Sequence, residues 1–245
     1  MRRLEVAPLP SIPSRRQAIL GSWRYLKGAH QSVGGLFDGL HILRQAAQQA
    51  AGKSARGGLS HDQQNLLRAA LVFTSGGLDA CLKRLLTDTL EHLVDGNSSA
   101  EKKYKQRVGA WLDAGRRDIR DAILSRAPRR HLVRVYVAEL TRPSLQGTGD
   151  LKTVRDALGI TTTRLSDSRL DQLGSFFSAR NEIVHELDFV ETAGPGSSSR
   201  RSRNMNAVRD QCNEVLQLIA EFIRQTDQNI SRLPTKKKRI VSHSG

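Results

Sequence analysis

The sequence predicts an all-α protein, and three features carry that prediction. Apolar residues recur at spacings of three and four along nearly the whole chain, which is the period of an amphipathic helix. No segment shows four or more clean apolar–polar alternations together with the β-branched and aromatic enrichment of strands. Ser60 is followed three positions later by Gln63, which is the capping-box pattern that begins many helices. We therefore expect helices throughout and no sheet.

The first 100 residues predict a helical extension, a linker and one long helix. One or two helices are expected over residues 15–50, where apolar side chains follow helical spacing at Ile19, Trp23, Leu26, Leu36, Leu40 and Leu43. The glycine-rich run 52–58 breaks this pattern and is typical of a linker. The long helix begins at Ser60 and contains Gly76 and Gly77. Because each glycine costs about 1 kcal/mol relative to alanine, the pair indicates a kink or the close approach of a second backbone.

The rest of the chain predicts further helices separated by short polar segments. Their expected ranges are 101–125, 128–143, 150–158, 166–189 and 205–228. Asp150 is a candidate cap for the third of these helices, and Ser166 or Asp167 for the fourth. Thr192–Arg203 is rich in glycine, serine and arginine, which predicts a loop. The expected division is an N-terminal helical extension with its linker (1–58), a main helical domain (59–230) and a basic tail (231–245).

Composition narrows the function classes. The 245 residues are 38% hydrophobic, which is enough for a real core and excludes a mostly disordered chain. No apolar run approaches the roughly 20 residues of a membrane span, and no signal-peptide core is visible, so we expect a cytoplasmic protein with no membrane partner. Two cysteines are too few for a disulfide framework. The scattered histidines lack ligand spacing, so we expect neither a metal nor another cofactor.

The net charge of +15 points to a polyanionic partner. Lys and Arg total 39, and 29 of them are Arg, the side chain suited to bidentate phosphate contacts. Such a balance favours nucleic acid, although an arginine-rich surface spread evenly around the molecule would give the same total. Aromatic residues make up only 4%, which disfavours a base-stacking platform.

Arg180 interrupts an apolar helical face. Its helical neighbours at positions −4, −3, +3 and +4 are Phe176, Phe177, Ile183 and Val184. A guanidinium on that face would lie against the core or another subunit, and burying it without a partner is costly. An anion must therefore meet it. That anion is either a bound phosphate or an Asp or Glu elsewhere in the fold.

His185 lies five residues after Arg180, about 140° around a continuous helix. On one straight helix the two side chains do not converge well. They converge if the helix is irregular near Arg180, or if a second copy of the chain supplies one of them. The second alternative predicts a site built by a dimer, with the helix that carries Phe176, Phe177 and Val184 at or near the interface.

The run Arg180-Asn181-Glu182-Ile183-Val184-His185 resembles the R-x4-6-H motif of HEPN-domain ribonucleases, including the polar residue directly after the arginine. The apolar lead-in at Leu170, Leu173, Phe176 and Phe177 and the closing amphipathic helix are also similar. The segment Leu78–Leu82 resembles the early helix of the RiboL-PSP-HEPN group. The resemblance covers roughly residues 60–228 and implies a HEPN-like helical bundle, here with an N-terminal helical extension.

The resemblance implies a metal-independent RNA endonuclease that acts as a homodimer, in the role of a toxin or antiviral effector. His185 would transfer protons, Arg180 would hold the scissile phosphate, and Asn181 would orient one of them. Attack by the ribose 2′-hydroxyl would leave a 2′,3′-cyclic phosphate. Some family toxins carry a modified tyrosine two residues after the histidine, where this chain has Leu187. That departure puts control by modification in doubt and leaves an antitoxin or sensor protein as the expected partner.

Several other charged residues have two interpretations. Glu182 and Glu186 flank the histidine and either assist it or bridge to nearby arginines. Basic runs are candidates for contacts with the RNA backbone: Arg200, Arg201, Arg203, Lys236, Lys237, Lys238 and Arg239. Two alternatives to the ribonuclease stay open, namely a catalytically silent helical protein that binds nucleic acid and a helical scaffold for a protein partner.

Overall fold

The structure is a computed structural model that describes residues 3–51, 58–190 and 199–234. Within these ranges the chain forms α1 (Gln17–Ala51), α2 (His61–Gly96), α3 (Ser98–Asp113), α4 (Arg117–Ile123), α5 (Pro128–Thr141), α6 (Thr148–Ala157), α7 (Asp167–Asp171), α8 (Gly174–Glu186) and α9 (Met205–Ser231). The only β pairing in the described ranges is an isolated antiparallel bridge between Phe189 and Arg200. The all-α prediction is confirmed. None of these helices is both long enough and apolar enough to cross a bilayer.

The two longest helices, α1 and α2, pack along each other, and α9 packs against both. Residues 17–51 form one continuous helix, which decides between the one or two helices expected there. This helix buries five large apolar side chains in the core that it shares with α2 and α9: Ile19, Leu26, Val33, Phe37 and Leu40. The expected linker residues 52–57 lie outside the described residues. The helix that we assigned to an N-terminal extension is therefore part of the same hydrophobic core as the rest of the chain.

Of the glycines in α2, Gly77 lies closest to α1. A Cβ built on Gly77 would lie 2.4 Å from the Cβ of Ala29, far inside van der Waals contact. The neighbouring Gly76 has no atom within 4 Å of such a Cβ. The close approach predicted from the glycine pair is thus confirmed, and Gly77 is the residue that allows it.

Gly77→Ala is expected to destabilise the protein by about 1–3 kcal/mol, because the added methyl group overpacks the interface with Ala29. Gly76→Ala is the matched control. It adds the same methyl group to open space in the same helix and is expected to stabilise by roughly 0.5–1 kcal/mol through helix propensity. Urea unfolding of both variants measures the two effects. Equal effects of the same sign would contradict the packing argument.

Several helix boundaries differ from the prediction. The capping box is confirmed, since the Ser60 side chain accepts from the Gln63 backbone and the Gln63 side chain accepts from the Ser60 backbone. The expected helix over 101–125 is instead α3 and α4, separated at Gly115, whose φ of 63° ends a helix readily. Gly147, not Asp150, is the N-cap of α6. The closing helix matches its prediction, starting at Met205 and ending three residues later than expected.

Candidate active site

The segment predicted as one helix over 166–189 is two helices with a turn between them. Ser166 caps α7 as predicted, because its side chain accepts from the Arg169 backbone. A turn at Gln172 and Leu173 then leads into α8. The second helix ends at Glu186, three residues before the predicted end, because Leu187 and Asp188 both adopt positive φ angles of 50° and 64°. The motif run from Arg180 to His185 lies in the last two turns of α8.

Arg180 is half-buried and has no anionic partner in the described ranges. One of its terminal nitrogens donates to Oδ1 of Asn181 over 3.0 Å. Its Nε is buried and makes no hydrogen bond there. The neighbouring Phe176 and Phe177 are buried in the core, as the apolar pattern predicts. The structural ion pair that the sequence left open for Arg180 is therefore not found among the described residues.

His185 is exposed in the last turn of α8, and its side chain makes no hydrogen bond or ion pair to the described part of the chain. Because α8 is continuous from Gly174 to Glu186, no helix irregularity turns Arg180 toward His185. The two side chains remain about 140° apart around one helix. Of the two ways in which they could converge, only the one that needs a second copy of the chain is left.

The helix expected at or near a dimer interface presents only part of its apolar surface to solvent. Phe176 and Phe177 pack inside the chain's own core, and the place of their helix at an interface stays a prediction. The apolar side chains that do reach solvent beside the motif are Val184, Leu187 and Val190, which are 41%, 60% and 56% exposed. Leu187 is exposed because its left-handed conformation ends the helix and turns the chain away.

A buried carboxylate fixes the end of α8. Asp188 is fully buried and accepts from Arg68 Nε on α2 over 2.7 Å. Its other oxygen pairs with Arg203, which also bonds Glu182 over 2.8 Å. We name these four residues the Asp188 cluster. The backbone adds to it, since Asp188 donates to the Glu182 carbonyl and accepts from the Arg201 amide. The cluster joins α2, the end of α8 and the segment that precedes α9.

The Asp188 cluster changes the interpretation of the arginines after the loop. Burial disfavours the charged form of Arg203, but the hydrogen bond and charge of Asp188 outweigh it and raise the pKa of that guanidinium. Arg201 lies 3.7 Å from Glu182 and 3.5 Å from Glu186. Arg200 lies over the Phe189 ring, 5.1 Å from its centroid. All three predicted RNA contacts therefore have partners within the protein, while Lys236, Lys237, Lys238 and Arg239 lie outside the described residues.

These contacts decide between the two interpretations of Glu182 and Glu186. Glu182 and Glu186 bridge to arginines, which confirms the structural interpretation of the two glutamates. RNA binding by Arg200, Arg201 and Arg203 stays a prediction. The sequence pattern that could have located the cluster is the distribution of charge around the loop. Three carboxylates precede residues 191–198 and three arginines follow them. Residues 191–198, which the sequence predicts as part of a loop, lie outside the described residues.

Neither the two cysteines nor a group of metal-ligating side chains provides a second candidate active site in the described ranges. Cys81 and Cys212 are free and buried, and burial raises the pKa of each thiol to about 12. Neither thiol is therefore a thiolate nucleophile near neutral pH. Within the same ranges no three His, Cys, Asp or Glu side chains are grouped as a metal site would require.

No family model, curated protein or solved structure matches the chain. The fold and the site together define an all-α protein in which an arginine and an exposed histidine lie in the last two turns of one helix, next to a buried ion-pair cluster. Among the described residues this arginine has no anionic partner.

Proposed function

We propose that this chain is a metal-independent RNA endonuclease of the HEPN type, with Arg180 and His185 as its catalytic residues and Asn181 as a positioning residue in the same site. The observation that carries the proposal is the state of Arg180. Its guanidinium lies at the edge of the apolar core with a buried, unused Nε donor and no carboxylate partner in the described ranges. A half-buried guanidinium with an unused donor and no carboxylate partner among the described residues is suited to bind a phosphate.

The proposed reaction is attack by a ribose 2′-hydroxyl on the adjacent phosphorus. The O2′ proton goes to a base, the P–O5′ bond breaks, and the O5′ leaving group takes a proton. Imidazole transfers protons efficiently near neutral pH, so His185 is assigned to proton transfer. Arg180 stabilises the charge that builds on the phosphate oxygens. Asn181 holds the Arg180 guanidinium through the 3.0 Å hydrogen bond, which gives it a positioning role.

The proposed site needs two copies of the chain. Arg180 and His185 diverge on a continuous α8, so one copy would supply the arginine and the other the histidine. Val184, Leu187 and Val190 give this surface exposed apolar groups that association would bury. The role as a toxin or antiviral effector, and an antitoxin or sensor as partner, follow from the HEPN resemblance.

The test is incubation of the purified chain with total RNA and with DNA of matched length, each with and without EDTA. RNA is expected to be cut under both conditions, because the proposed chemistry uses protein groups alone. DNA is expected to survive, because it lacks the 2′-hydroxyl nucleophile. Loss of RNA cleavage in EDTA, or cleavage of DNA, would overturn the proposal. Binding of RNA without cleavage would favour the catalytically silent alternative.

A further inference from the structure

A net charge of +5, one third of the chain's +15, lies in the segment that contains α4 and α5. Residues 116–142 contain eight arginines and only three carboxylates. Two of those carboxylates, Asp118 and Glu139, pair with the same residue, Arg116. The remaining arginines thus have little anionic compensation within this segment.

Five of these arginines are exposed and have side chains that make no ion pair or hydrogen bond within the described ranges: Arg117, Arg120, Arg126, Arg134 and Arg142. Arg129, by contrast, pairs with Asp95. Arg130 lies 3.7 Å from Glu91, and both side chains are more than half exposed, so solvent screens that pair strongly. On α9, by contrast, the half-buried Arg209 pairs with Asp210 and the exposed Arg224 pairs with Glu221.

A groove of about 460 Å³ runs between the α4–α5 connection and the outer face of α5. Its lining consists of Ser125, Ala127, Arg130, His131, Arg134, Val135 and Ala138. Arg130 and Arg134 are four residues apart, so they project from the same helix face. The opposite face of α5 packs into the core through Val133 and Tyr136. The groove therefore presents two arginines and a histidine, and its lining contains no carboxylate. We call it the α5 groove.

We propose that the α5 groove binds the phosphate backbone of RNA at a surface separate from Arg180 and His185. The identification of RNA rests on the proposed function, whereas the anionic character of the ligand follows from the charges in the groove. Arginine binds phosphate through paired N–H donors. The Arg134 side chain makes no ion pair within the described ranges, and the pair of Arg130 with Glu91 is long and exposed to solvent. The surface is concave, which suits an extended polyanion better than a flat anionic membrane. The backbone contact would hold RNA on the protein while the cut is made elsewhere.

The experiment measures RNA affinity in the His185→Ala background, so that cleavage does not remove the ligand. The groove variant is Arg130→Gln with Arg134→Gln. The control variant is Arg209→Gln with Arg224→Gln, which removes the same charge from paired arginines on α9. A fluorescent single-stranded RNA is titrated at several salt concentrations, and thermal unfolding checks that both variants fold.

The groove variant is expected to bind RNA at least 10-fold more weakly at low salt. Each lost phosphate contact lowers the slope of log K against log salt by about 0.7 for single strands, so the slope should fall by about 1.4. The control should retain the parent slope. Equal losses in the two variants would overturn the proposal, because net charge alone would explain them. Unchanged RNA affinity with weaker binding to phosphatidylserine vesicles would also overturn it, in favour of a membrane surface.

The result can be separated from the fate of the ribonuclease proposal. If the wild-type chain cuts no RNA but the groove variant loses RNA affinity relative to the control, RNA binding by the α5 groove is supported and the catalytic assignment is refuted. If the wild-type chain cuts RNA while the groove and control variants bind it equally, the catalytic assignment is supported and RNA binding by the α5 groove is refuted.

Discussion

Replacing His185 with alanine is expected to reduce RNA cleavage 10²–10⁴-fold, because the variant loses its proton-transfer group. Arg180→Ala is expected to cost about 10²–10³-fold, because the charge on the phosphate oxygens loses its stabilising cation. Both losses should appear in the single-turnover rate at saturating RNA and only weakly in affinity, since many other arginines contribute to binding. Asn181→Ala should give a smaller loss, as expected of a positioning residue.

The matched control for His185 is His92→Ala. His92 is another exposed histidine on a helix, and it makes no hydrogen bond or ion pair within the described ranges. Its variant should cleave at the wild-type rate. Mixing the Arg180→Ala and His185→Ala chains tests the two-copy site, because a mixed dimer contains one site with both residues intact. Recovery of activity on mixing is expected. Normal cleavage by His185→Ala alone would refute the assignment.

Asp188→Asn is expected to destabilise the fold by about 3–5 kcal/mol. The substitution leaves the Arg68 guanidinium, whose side chain is 8% exposed, without its carboxylate and weakens the compensation of Arg203, which is 14% exposed. Removing one partner of a buried ion pair has effects of this size, because an uncompensated charge stays in a medium of low dielectric constant. Urea unfolding followed by circular dichroism measures the change.

Asp210→Asn is the control for the buried aspartate. Asp210 pairs with Arg209 at the surface, where its side chain is 62% exposed, and such pairs contribute about 0–1 kcal/mol. The two substitutions make the same chemical change at opposite extremes of burial. Similar small effects in both variants would show that the Asp188 cluster does not hold the end of α8 in place.

The sequence predicted those parts of the fold that depend on local spacing. The all-α class follows from apolar periodicity, and the start of α2 follows from a capping box that Ser60 and Gln63 form between themselves. The close approach at Gly77 also has a local signal in the sequence, because a glycine inside a long helix costs stability unless close packing requires it. These features require no knowledge of what lies far away in the chain.

The helix boundaries that were missed depend on distant residues. The periodicity of α8 continues through Phe189, yet the helix ends at Glu186 because Asp188 is bound by Arg68, 120 positions away in the sequence. A local pattern contains no information about that pairing. The break of the 101–125 helix at Gly115 was visible in principle, since a glycine close to a helix end commonly adopts the left-handed conformation.

The candidate site was predicted in part. The apolar neighbours of Arg180 showed that the guanidinium lies at the edge of a buried face, and the structure places it there without a carboxylate partner in the described ranges. Amphipathicity alone does not distinguish a face that packs on the chain's own core from one that packs on a second copy. The structure shows Phe176 and Phe177 inside the chain's own core, and the place of their helix at or near an interface stays a prediction.

The most direct test of the proposed chemistry is a single 2′-deoxy substitution at a mapped cleavage position of a defined RNA, assayed in EDTA. The O2′ atom is the proposed nucleophile, so its removal should stop cleavage at that position while neighbouring positions are still cut. The products of the unmodified RNA should end in a 2′,3′-cyclic phosphate and begin with a 5′-hydroxyl. Unchanged cleavage of the deoxy-substituted RNA, or products with 5′-phosphate ends, would contradict the assignment of Arg180 and His185 to this reaction.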